Sequence, residues 1–533
     1  MSIKTVLSNL RAEYTNIRDL GTAFETLTLN FLKTDNIYKN LYKNVWTFKE
    51  FVISHSEYGL NEKDKGVDLV AEFSEGEKRF CAIQCKVYEE GHKLVKEDID
   101  SFFTESGKKI FTDRLLVVTT NSISDNVSES LSEQTVPVSL ITLEDLENSS
   151  IDWLQFDINK IEKLEVKPKK TIRPHQKEAL EKAVEYFKYH DRGKLIMACG
   201  TGKTYTSLKI AEAITPEQSN ILFLVPSISL LSQTLKEWNY EAENPINSYA
   251  VCSDVKIGKD EDLRLHELSF PATTNADKLL ENFKSGNKND RTVIFSTYQS
   301  LDVIQKAQSK GLPEFDFVIC DEAHRTTGVI KGPIKDDSNF VIIHGNDKIK
   351  AKKRMYMTAT PRIYTSNVKN TAKKKDIVLC SMDDSKIYGE TIYKLSFSKA
   401  VELDLLSDYQ VMVYMVSQDF INEDMQSELA KKDNTLNLGD LSKLAGCYNG
   451  LAKKSMDDSN IFTDTNPMKR AVMFAGKIEI SKKIAKEFKK ITHNLGDLKC
   501  EAEHIDGTTN IIERNNRIDW LKEPIPEGEC RIL

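Results

Sequence analysis

A glycine-rich segment at residues 198–204 constrains the fold of this 533-residue chain more than any other feature. The apolar run before it predicts a strand over 194–197, and the pattern after it predicts a helix over 205–213. Glycines in such a strand–loop–helix unit let successive backbone N–H groups wrap phosphate oxygens at the positive end of the helix. The segment therefore predicts a phosphate-binding loop in a parallel α/β sheet.

The residues of this loop predict ATP and Mg²⁺ as cofactors. Gly200 and Gly202 would let the backbone approach the phosphates, and Thr201 lies between them in the same loop. Lys203 would reach the β- and γ-phosphates, and Thr204 would coordinate Mg²⁺. The first glycine of the strict pattern is replaced by methionine, a departure that matches a helicase-type variant.

A second acidic motif follows the strand predicted over 315–320. Asp321 would hold Mg²⁺ through water, and Glu322 would orient or deprotonate the attacking water. His324 could link the state of the γ-phosphate to neighbouring segments. Because the motif follows an apolar strand downstream of the phosphate loop, it predicts the second half of an ATP site.

These motifs resemble those of the superfamily 2 helicases and translocases of the DEAH type, a group that includes restriction-enzyme motors. In that resemblance, residues 173–176 match the segment that reads adenine, with Gln176 as its key side chain, and residues 224–234, 296–300 and 358–361 match motifs Ia, Ib and III. For any one hydroxyl, a turn or a helix cap is the alternative. The resemblance implies DNA contact or coupling for Pro226, Ser227, Ser296, Thr297, Thr358 and Thr360.

Residues 397–533 resemble part of a second RecA-like lobe, after a first lobe over 172–396. The pattern predicts a strand over 470–475, a helix through 490 and a last strand over 530–533. Motif V and the arginine-bearing motif VI are not found, so we expect the chain to be truncated within this lobe. Since those arginines stabilise the transferring phosphate in the family, we expect ATP binding with poor hydrolysis.

The acidity of the chain is concentrated in its first 150 residues. The formal net charge is −7, but residues 1–150 hold 17 Lys and Arg against 25 Asp and Glu, and the rest is near neutral. The patterns predict a helix over 1–30, strand-like structure over 45–86 around a loop at 61–66, and short strands over 115–119 and 136–141. Carboxylates in this region could hold metal ions, whereas phosphate contacts need Lys and Arg.

Four residues of the acidic region form a metal-dependent nuclease pattern. Asp68 precedes Gln84 by about 15 residues, and Gln84 shares one strand face with Lys86. Asp68 and Gln84 would hold Mg²⁺, and Lys86 would lie near the attacking water. This resembles the PD-(D/E)xK nucleases of the Mrr-like branch, and the resemblance implies that Glu25 is an accessory metal or water ligand. The alternative is a structural ion pair between Asp68 and Lys86.

The order of a nuclease over 1–158, a linker over 159–171 and a motor resembles the N-terminal part of the Type ISP restriction-modification enzymes. The resemblance implies an α/β chain that translocates along double-stranded DNA with ATP and cleaves it with Mg²⁺. It also implies methyltransferase and target-recognition domains in cis.

Three alternatives remain open. They are a Type III-like restriction subunit, a repair or remodelling helicase with a degenerate nuclease-like docking domain, and a non-enzymatic ATP-sensing scaffold. The scattered, odd number of cysteines and the absence of a long apolar run favour a cytoplasmic protein without a membrane span.

Overall fold

The computed structural model forms two compact units, one reaching Ser407 and the other beginning at Asp408. The expected boundary between residues 396 and 397 stays a prediction, although the first unit runs slightly beyond it. The structure describes residues 2–61, 66–74, 78–89, 91–132, 134–252, 269–331, 339–374, 378–409, 411, 438–454, 464, 466–492, 496–506, 509 and 511–533. Most of the expected loop over 61–66 lies outside these residues.

The N-terminal part of the first unit is built around a five-stranded mixed sheet in the order β1-β2-β3-β5-β7. The first two pairs are antiparallel, and the last two are parallel. Its helices and strands are α1 (Ile3–Glu13), α2 (Ile17–Thr34), α3 (Tyr38–Leu41), β1 (Tyr42–Thr47), α4 (Phe48–Ser54), β2 (Leu69–Phe73), β3 (Phe80–Lys86), β4 (Lys93–Leu94), α5 (Asp100–Glu105), β5 (Phe111–Val118), β6 (Ser122–Ile123), α6 (Asp125–Ser132), β7 (Val138–Ile141) and α7 (Leu143–Glu147).

Two expectations about local structure in this part are wrong. The helix expected over 1–30 is divided into α1 and α2, because Asn16 accepts a hydrogen bond from the N–H of Arg18 and starts a new helix. The strand-like stretch over 45–86 contains the helix α4. Thr47 and Glu50 form a capping box there, which satisfies N–H groups at the helix start and outweighs the β-branched pattern.

The rest of the first unit is an α/β lobe with an eight-stranded sheet in the order β11-β10-β12-β9-β13-β15-β8-β17. All of its strand pairs are parallel, as the alternation of apolar strands and helices predicted. Its elements are α8 (Pro174–Tyr186), β8 (Arg192–Met197), α9 (Lys203–Ile214), β9 (Asn220–Val225), α10 (Ile228–Glu241), β10 (Ile246–Val251), β11 (Ala272–Thr273), α11 (Ala276–Ser285), β12 (Arg291–Thr297), α12 (Leu301–Ser309), β13 (Phe315–Cys320), β14 (Gly328–Lys331), β15 (Ala351–Thr358), α13 (Ser366–Lys374), β16 (Val378–Cys380), α14 (Ser385–Tyr388), β17 (Glu390–Leu395) and α15 (Phe397–Glu402).

Side chains of the N-terminal part bond directly to the α/β lobe. The Tyr38 hydroxyl donates to the Ser269 carbonyl at 2.7 Å, and both residues are buried. The Lys236 ammonium lies 2.5 Å from an Asp145 carboxylate oxygen, and both side chains are less than 20% exposed. These contacts join the two parts of the unit by more than chain connectivity.

The segment expected to be a linker, residues 159–171, is bonded at both ends. Lys167 N–H donates to the Ser150 carbonyl at 2.7 Å, on the N-terminal side. Lys170 N–H donates to the Glu241 carboxylate at 2.7 Å, on the side of the α/β lobe. The segment is therefore hydrogen-bonded to both parts of the unit and is not a free linker.

The second unit contains a three-stranded parallel sheet in the order β18-β20-β19. The expected strand at the end of the chain is present, whereas the strand expected over 470–475 has regular pairing only at 470–471, and Val472 and Phe474 beyond it are exposed. The described elements are α16 (Leu438–Leu451), β18 (Arg470–Ala471), α17 (Ile478–Thr492), β19 (Lys499–Ala502), α18 (Ile511–Lys522) and β20 (Glu529–Ile532). Residues 412–437 and 455–463 of this lobe lie outside the described residues.

Candidate functional site

The sheet topology of the α/β lobe brings the predicted ATP residues to one edge. β13, β15 and β8 are neighbours in the sheet, and their carboxyl ends face the same way because all three are parallel. The glycine-rich loop follows β8, Asp321 follows β13, and Thr358 ends β15. Ligands of open α/β sheets bind at this edge.

The glycine-rich loop has the backbone that phosphate binding requires. Gly200 and Gly202 have φ angles of 80° and 82°, in the left-handed region. A Cβ on Gly202 would lie 2.4 Å from Nε2 of Gln176. The Lys203 ammonium lies 3.4 Å from the Met197 carbonyl and so folds back over the loop.

The segment expected to read adenine is bonded to the same loop. The Gln176 amide oxygen accepts from the N–H of Arg173 at 2.9 Å, and its amide nitrogen donates to the Gly202 carbonyl at 3.4 Å. His175 Nε2 lies 2.9 Å from the Thr201 carbonyl. The contacts place Gln176 beside the loop, and its contact with adenine stays a prediction.

The acidic motif combines a buried carboxylate with a strained backbone. Burial, and next the charge of Glu322, raise the pKa of Asp321 to about 6. The Asp321 carboxylate accepts from the N–H of Glu322 at 2.9 Å. Glu322 has a φ of 47°, which costs a residue with a side chain about 1–3 kcal/mol. The raised pKa shows that the charge of Asp321 is unfavourable in this surrounding, a cost that a bound cation would offset.

His324 connects the acidic motif to the end of β15. Its Nδ1 lies 3.1 Å from the Thr358 hydroxyl and 3.2 Å from a Glu322 carboxylate oxygen. Burial lowers the pKa of His324, which favours the neutral ring, and its Nδ1 is hydrogen-bonded to the Thr358 hydroxyl. The Thr358 hydroxyl also accepts from the N–H of Thr360 at 3.1 Å. His324 therefore contacts the segment that resembles motif III, and its expected role of linking the state of the γ-phosphate to neighbouring segments stays a prediction.

The two motif Ia residues that are expected to touch DNA already form hydrogen bonds within the protein. Pro226 is buried, and its carbonyl accepts from the Gln299 amide at 3.4 Å. Ser227 caps α10 by accepting from the N–H of Leu230 at 3.4 Å. A helix cap was the alternative to DNA contact for this hydroxyl. The cap does not prevent the same hydroxyl from also contacting a phosphate.

The hydroxyls of motif Ib point into the lobe, in contrast to Thr360. Ser296 and Thr297 are 0% and 2% exposed. The Ser296 hydroxyl donates to the Thr297 carbonyl at 3.1 Å, and the Thr297 hydroxyl lies 3.1 Å from that of Ser300. Thr360 is exposed at the sheet edge. Thr360 is therefore accessible to a ligand, whereas the two motif Ib hydroxyls bond within the lobe, and DNA contact by any of the three stays a prediction.

The predicted nuclease residues meet at the start of β2 and the end of β3. The Asp68 carboxylate accepts from the N–H of Cys85 at 2.7 Å, and the Asp68 N–H donates to the Ile83 carbonyl at 2.9 Å. Gln84 is 2% exposed, and its amide oxygen has no hydrogen-bond partner among the described residues. An orphaned buried acceptor beside a carboxylate fits an oxygen-liganded cation.

Glu25, on α2, belongs to the same group. Burial, and next the charge of Asp68, raise the pKa of Glu25 to about 7, while Lys86 lowers it. Burial also raises the pKa of Asp68, against the Cys85 N–H bond and Lys86. When two neighbouring carboxyl groups resist ionising together, a bound Mg²⁺ would stabilise their ionised forms. The carboxylates of Glu25 and Asp68 are oxygen ligands of the kind that Mg²⁺ prefers, so these residues fit the metal. Within the described part of the chain, no three His, Cys, Asp or Glu side chains form a metal-binding group by themselves.

The known families that match this chain agree with both predicted domain types. Residues 33–163 match a family model described as a restriction endonuclease, and residues 169–363 match one described as the Type III restriction enzyme res subunit. The solved structure of the ATP-dependent Type ISP restriction-modification enzyme LlaBIII bound to DNA aligns with 99% of this chain at 39% identity and a TM-score of 0.81. The nuclease and helicase domains of this chain are those of a Type ISP restriction-modification enzyme. The predicted Mrr-like nuclease and superfamily 2 motor are thereby confirmed as domain types.

Other relatives extend over parts of this Type ISP chain. A nuclease-deletion mutant of the Type ISP enzyme LlaGI, in complex with a DNA substrate mimic, is 36% identical over 68% of the chain, with a TM-score of 0.47. A protein of African swine fever virus named probable helicase A859L is 22% identical over 71% of the chain. The chain spans 34% of the LlaBIII chain and 39% of A859L.

None of the helices in the described ranges has the length and apolar character needed to span a bilayer.

Proposed function

We propose that this chain restricts DNA by combining an ATP-driven double-stranded DNA translocase with a Mg²⁺-dependent endonuclease. One observation carries the proposal, namely the 39% identity over 99% of the chain to a DNA-bound Type ISP enzyme. DNA, ATP and Mg²⁺ are the proposed partner and cofactors. Methyltransferase and target-recognition functions are proposed to act with this chain, because it spans only 34% of that enzyme.

In the motor site, the chain's own groups bind and orient ATP. The left-handed glycines of the loop present N–H groups to the phosphates, and Lys203 balances their charge. Thr204 and Asp321 would hold Mg²⁺, which neutralises charge that develops during phosphoryl transfer. Glu322 orients the attacking water, and its contact with His324 passes the state of the site to Thr358.

In the nuclease site, Asp68, Gln84 and Glu25 would hold Mg²⁺, which would activate water and stabilise the phosphate. Lys86 is proposed to bind the scissile phosphate and to support deprotonation of the attacking water. The Cys85 N–H bond holds the Asp68 carboxylate in one orientation at 2.7 Å.

Cleavage of plasmid DNA with ATP and Mg²⁺ tests the nuclease assignment. Asp68→Asn and Lys86→Ala should each reduce the rate by at least ~100-fold, since a metal ligand or the site's cation is lost. Lys49→Ala, on the exposed face of α4, is the matched control and should cut normally. Normal cleavage by Asp68→Asn would contradict the assignment.

Measurements of DNA movement and of ATP binding, made beside the cleavage assay, separate the alternatives. Binding and movement on DNA without cleavage by the wild type would favour a helicase with a degenerate docking domain. ATP binding that survives Lys203→Ala would favour the ATP-sensing scaffold, because the proposed phosphate contact would then be unused.

A further inference from the structure

A buried histidine joins the turn after the acidic motif to the strand β15. His344 is 8% exposed, and its Nε2 lies 3.0 Å from the Thr326 carbonyl, while its Nδ1 lies 3.0 Å from the Tyr356 hydroxyl. Because a carbonyl can only accept, Nε2 carries the proton and Nδ1 accepts from Tyr356. Burial lowers the pKa of His344 to about 4, so the ring stays neutral near pH 7 and keeps both bonds.

The turn that His344 holds carries the proposed water-orienting residue. The 3₁₀ turn Ala323–Thr326 begins immediately after Glu322, whose backbone is left-handed. The Thr326 hydroxyl donates to the Ala323 carbonyl at 2.8 Å and lies 3.1 Å from the Tyr388 hydroxyl. A residue with a side chain keeps such a backbone only where the surrounding contacts determine it. Thr326 is therefore the point at which the lobe core fixes the turn.

The other partners of His344 lie on the two strands that complete the ATP site. Tyr356 precedes Thr358 by two residues on β15, and Thr358 contacts His324 at 3.1 Å. Arg192, on the strand that leads into the glycine-rich loop, donates from Nη2 to the His344 carbonyl at 2.9 Å. The residue thus bonds to β8, to β15 and to the turn after β13.

We propose that His344 is a positioning residue of the ATPase site, which holds the Ala323–Thr326 turn against β15 so that Glu322 and His324 keep their orientation toward the γ-phosphate. The inference rests on the proposed ATPase function. Its predicted effect falls on the chemical step, because His344 lies behind the turn and does not line the glycine-rich loop. Sequence motifs gave no sign of this role.

Hydrolysis by this chain under single-turnover conditions, with protein in excess over ATP, tests the proposal. His344→Leu removes both side-chain bonds and should slow the step about 10-fold at saturating nucleotide, with half-saturation unchanged within twofold. His344→Gln keeps an amide donor and acceptor and should recover the rate to within about threefold of wild type. His190→Leu, which removes an exposed histidine of the same lobe, is the matched control and should have the wild-type rate.

Two further measurements keep the test decisive. If His344→Leu does not fold, Tyr356→Phe, which removes only the hydroxyl that donates to Nδ1, should still slow the step about threefold. A wild-type rate in these variants, or equal loss of ATP binding and hydrolysis, would overturn the role of His344. Glu322→Gln reports on the proposed function separately, since it should abolish hydrolysis whatever His344 does. If the wild type does not bind ATP, the proposed function is contradicted. If it binds ATP but hydrolyses it too slowly to measure, as expected for this chain, a lower ratio of affinities for ADP–aluminium fluoride over ADP in His344→Leu supports positioning, and an unchanged ratio overturns it.

Discussion

Removing the charge of Asp321 should stabilise the metal-free α/β lobe while abolishing its use of Mg²⁺. Burial raises the pKa of this carboxyl from 3.8 to about 6. The ionised form of Asp321 therefore lowers the free energy of unfolding of the metal-free protein. The difference of 2.2 pH units, at about 1.36 kcal/mol for each, gives an upper value of about 3 kcal/mol. Asp321→Asn keeps an oxygen that can accept from Glu322 N–H, so the main change is the lost charge.

The stability gain of Asp321→Asn should increase with pH. Below pH 3.8 the wild-type carboxyl is protonated in both states and imposes no cost, and the cost grows as pH rises through 6. The stability gain of Asp321→Asn should therefore be about 3 kcal/mol at pH 8 and about half of that at pH 5.

Urea unfolding in EDTA, followed by circular dichroism at both pH values, measures this gain. Asp302→Asn, whose side chain is 49% exposed on α12, is the control and should show no pH-dependent gain. Mg²⁺ with ATP should stabilise the wild type and not Asp321→Asn, because only the wild type keeps the metal ligand. A gain that is equal at pH 5 and pH 8, or a destabilised variant, would refute the argument from burial.

Two other predictions concern the loop and the domain contact. Gly202→Ala should abolish ATP binding, measured by fluorescent nucleotide titration, since its Cβ would lie 2.4 Å from Gln176 Nε2 in a left-handed backbone, whereas Gly476→Ala, with open space around it, should bind normally. Lys236→Asp should loosen the N-terminal domain from the α/β lobe and cost about 1–3 kcal/mol, detected as faster limited proteolysis. Normal nucleotide binding by the first variant, or unchanged proteolysis in the second, would contradict these expectations.

The sequence predicts the α/β lobe well because its signals are local. The strand expected over 315–320 has those bounds, and the expected strand over 194–197 lies within β8. A phosphate loop and an acidic motif follow parallel strands, so their meeting at one sheet edge follows from topology. Asp68, Gln84 and Lys86 could be placed together for a similar reason. Their spacing along two paired strands, β2 and β3, determines which of them are neighbours in the sheet.

What the sequence could not provide depends on contacts between distant segments. Ser296 and Thr297 have the residue types of a DNA contact, yet their inward orientation is fixed by packing around β12. His344 lies in no motif, and its bonds reach residues 12 and 18 positions away. The raised pKa of Glu25 comes first from burial by the assembled domain, a quantity that no local pattern reports.

The strand order of the α/β lobe also determines when each activity can arise during synthesis. β8 lies between β15 and β17, so the strand bearing the phosphate loop gains its second neighbour only after Leu395 is made. The nuclease sheet is complete at Ile141, 254 residues earlier (395 − 141). At about 5–20 residues per second, the ribosome carries a folded nuclease without its motor for roughly 13–50 s. Under the proposed function, a nuclease that cuts only after ATP-driven translocation would be inactive during this interval, so such coupling would also protect the cell's DNA during synthesis of the chain.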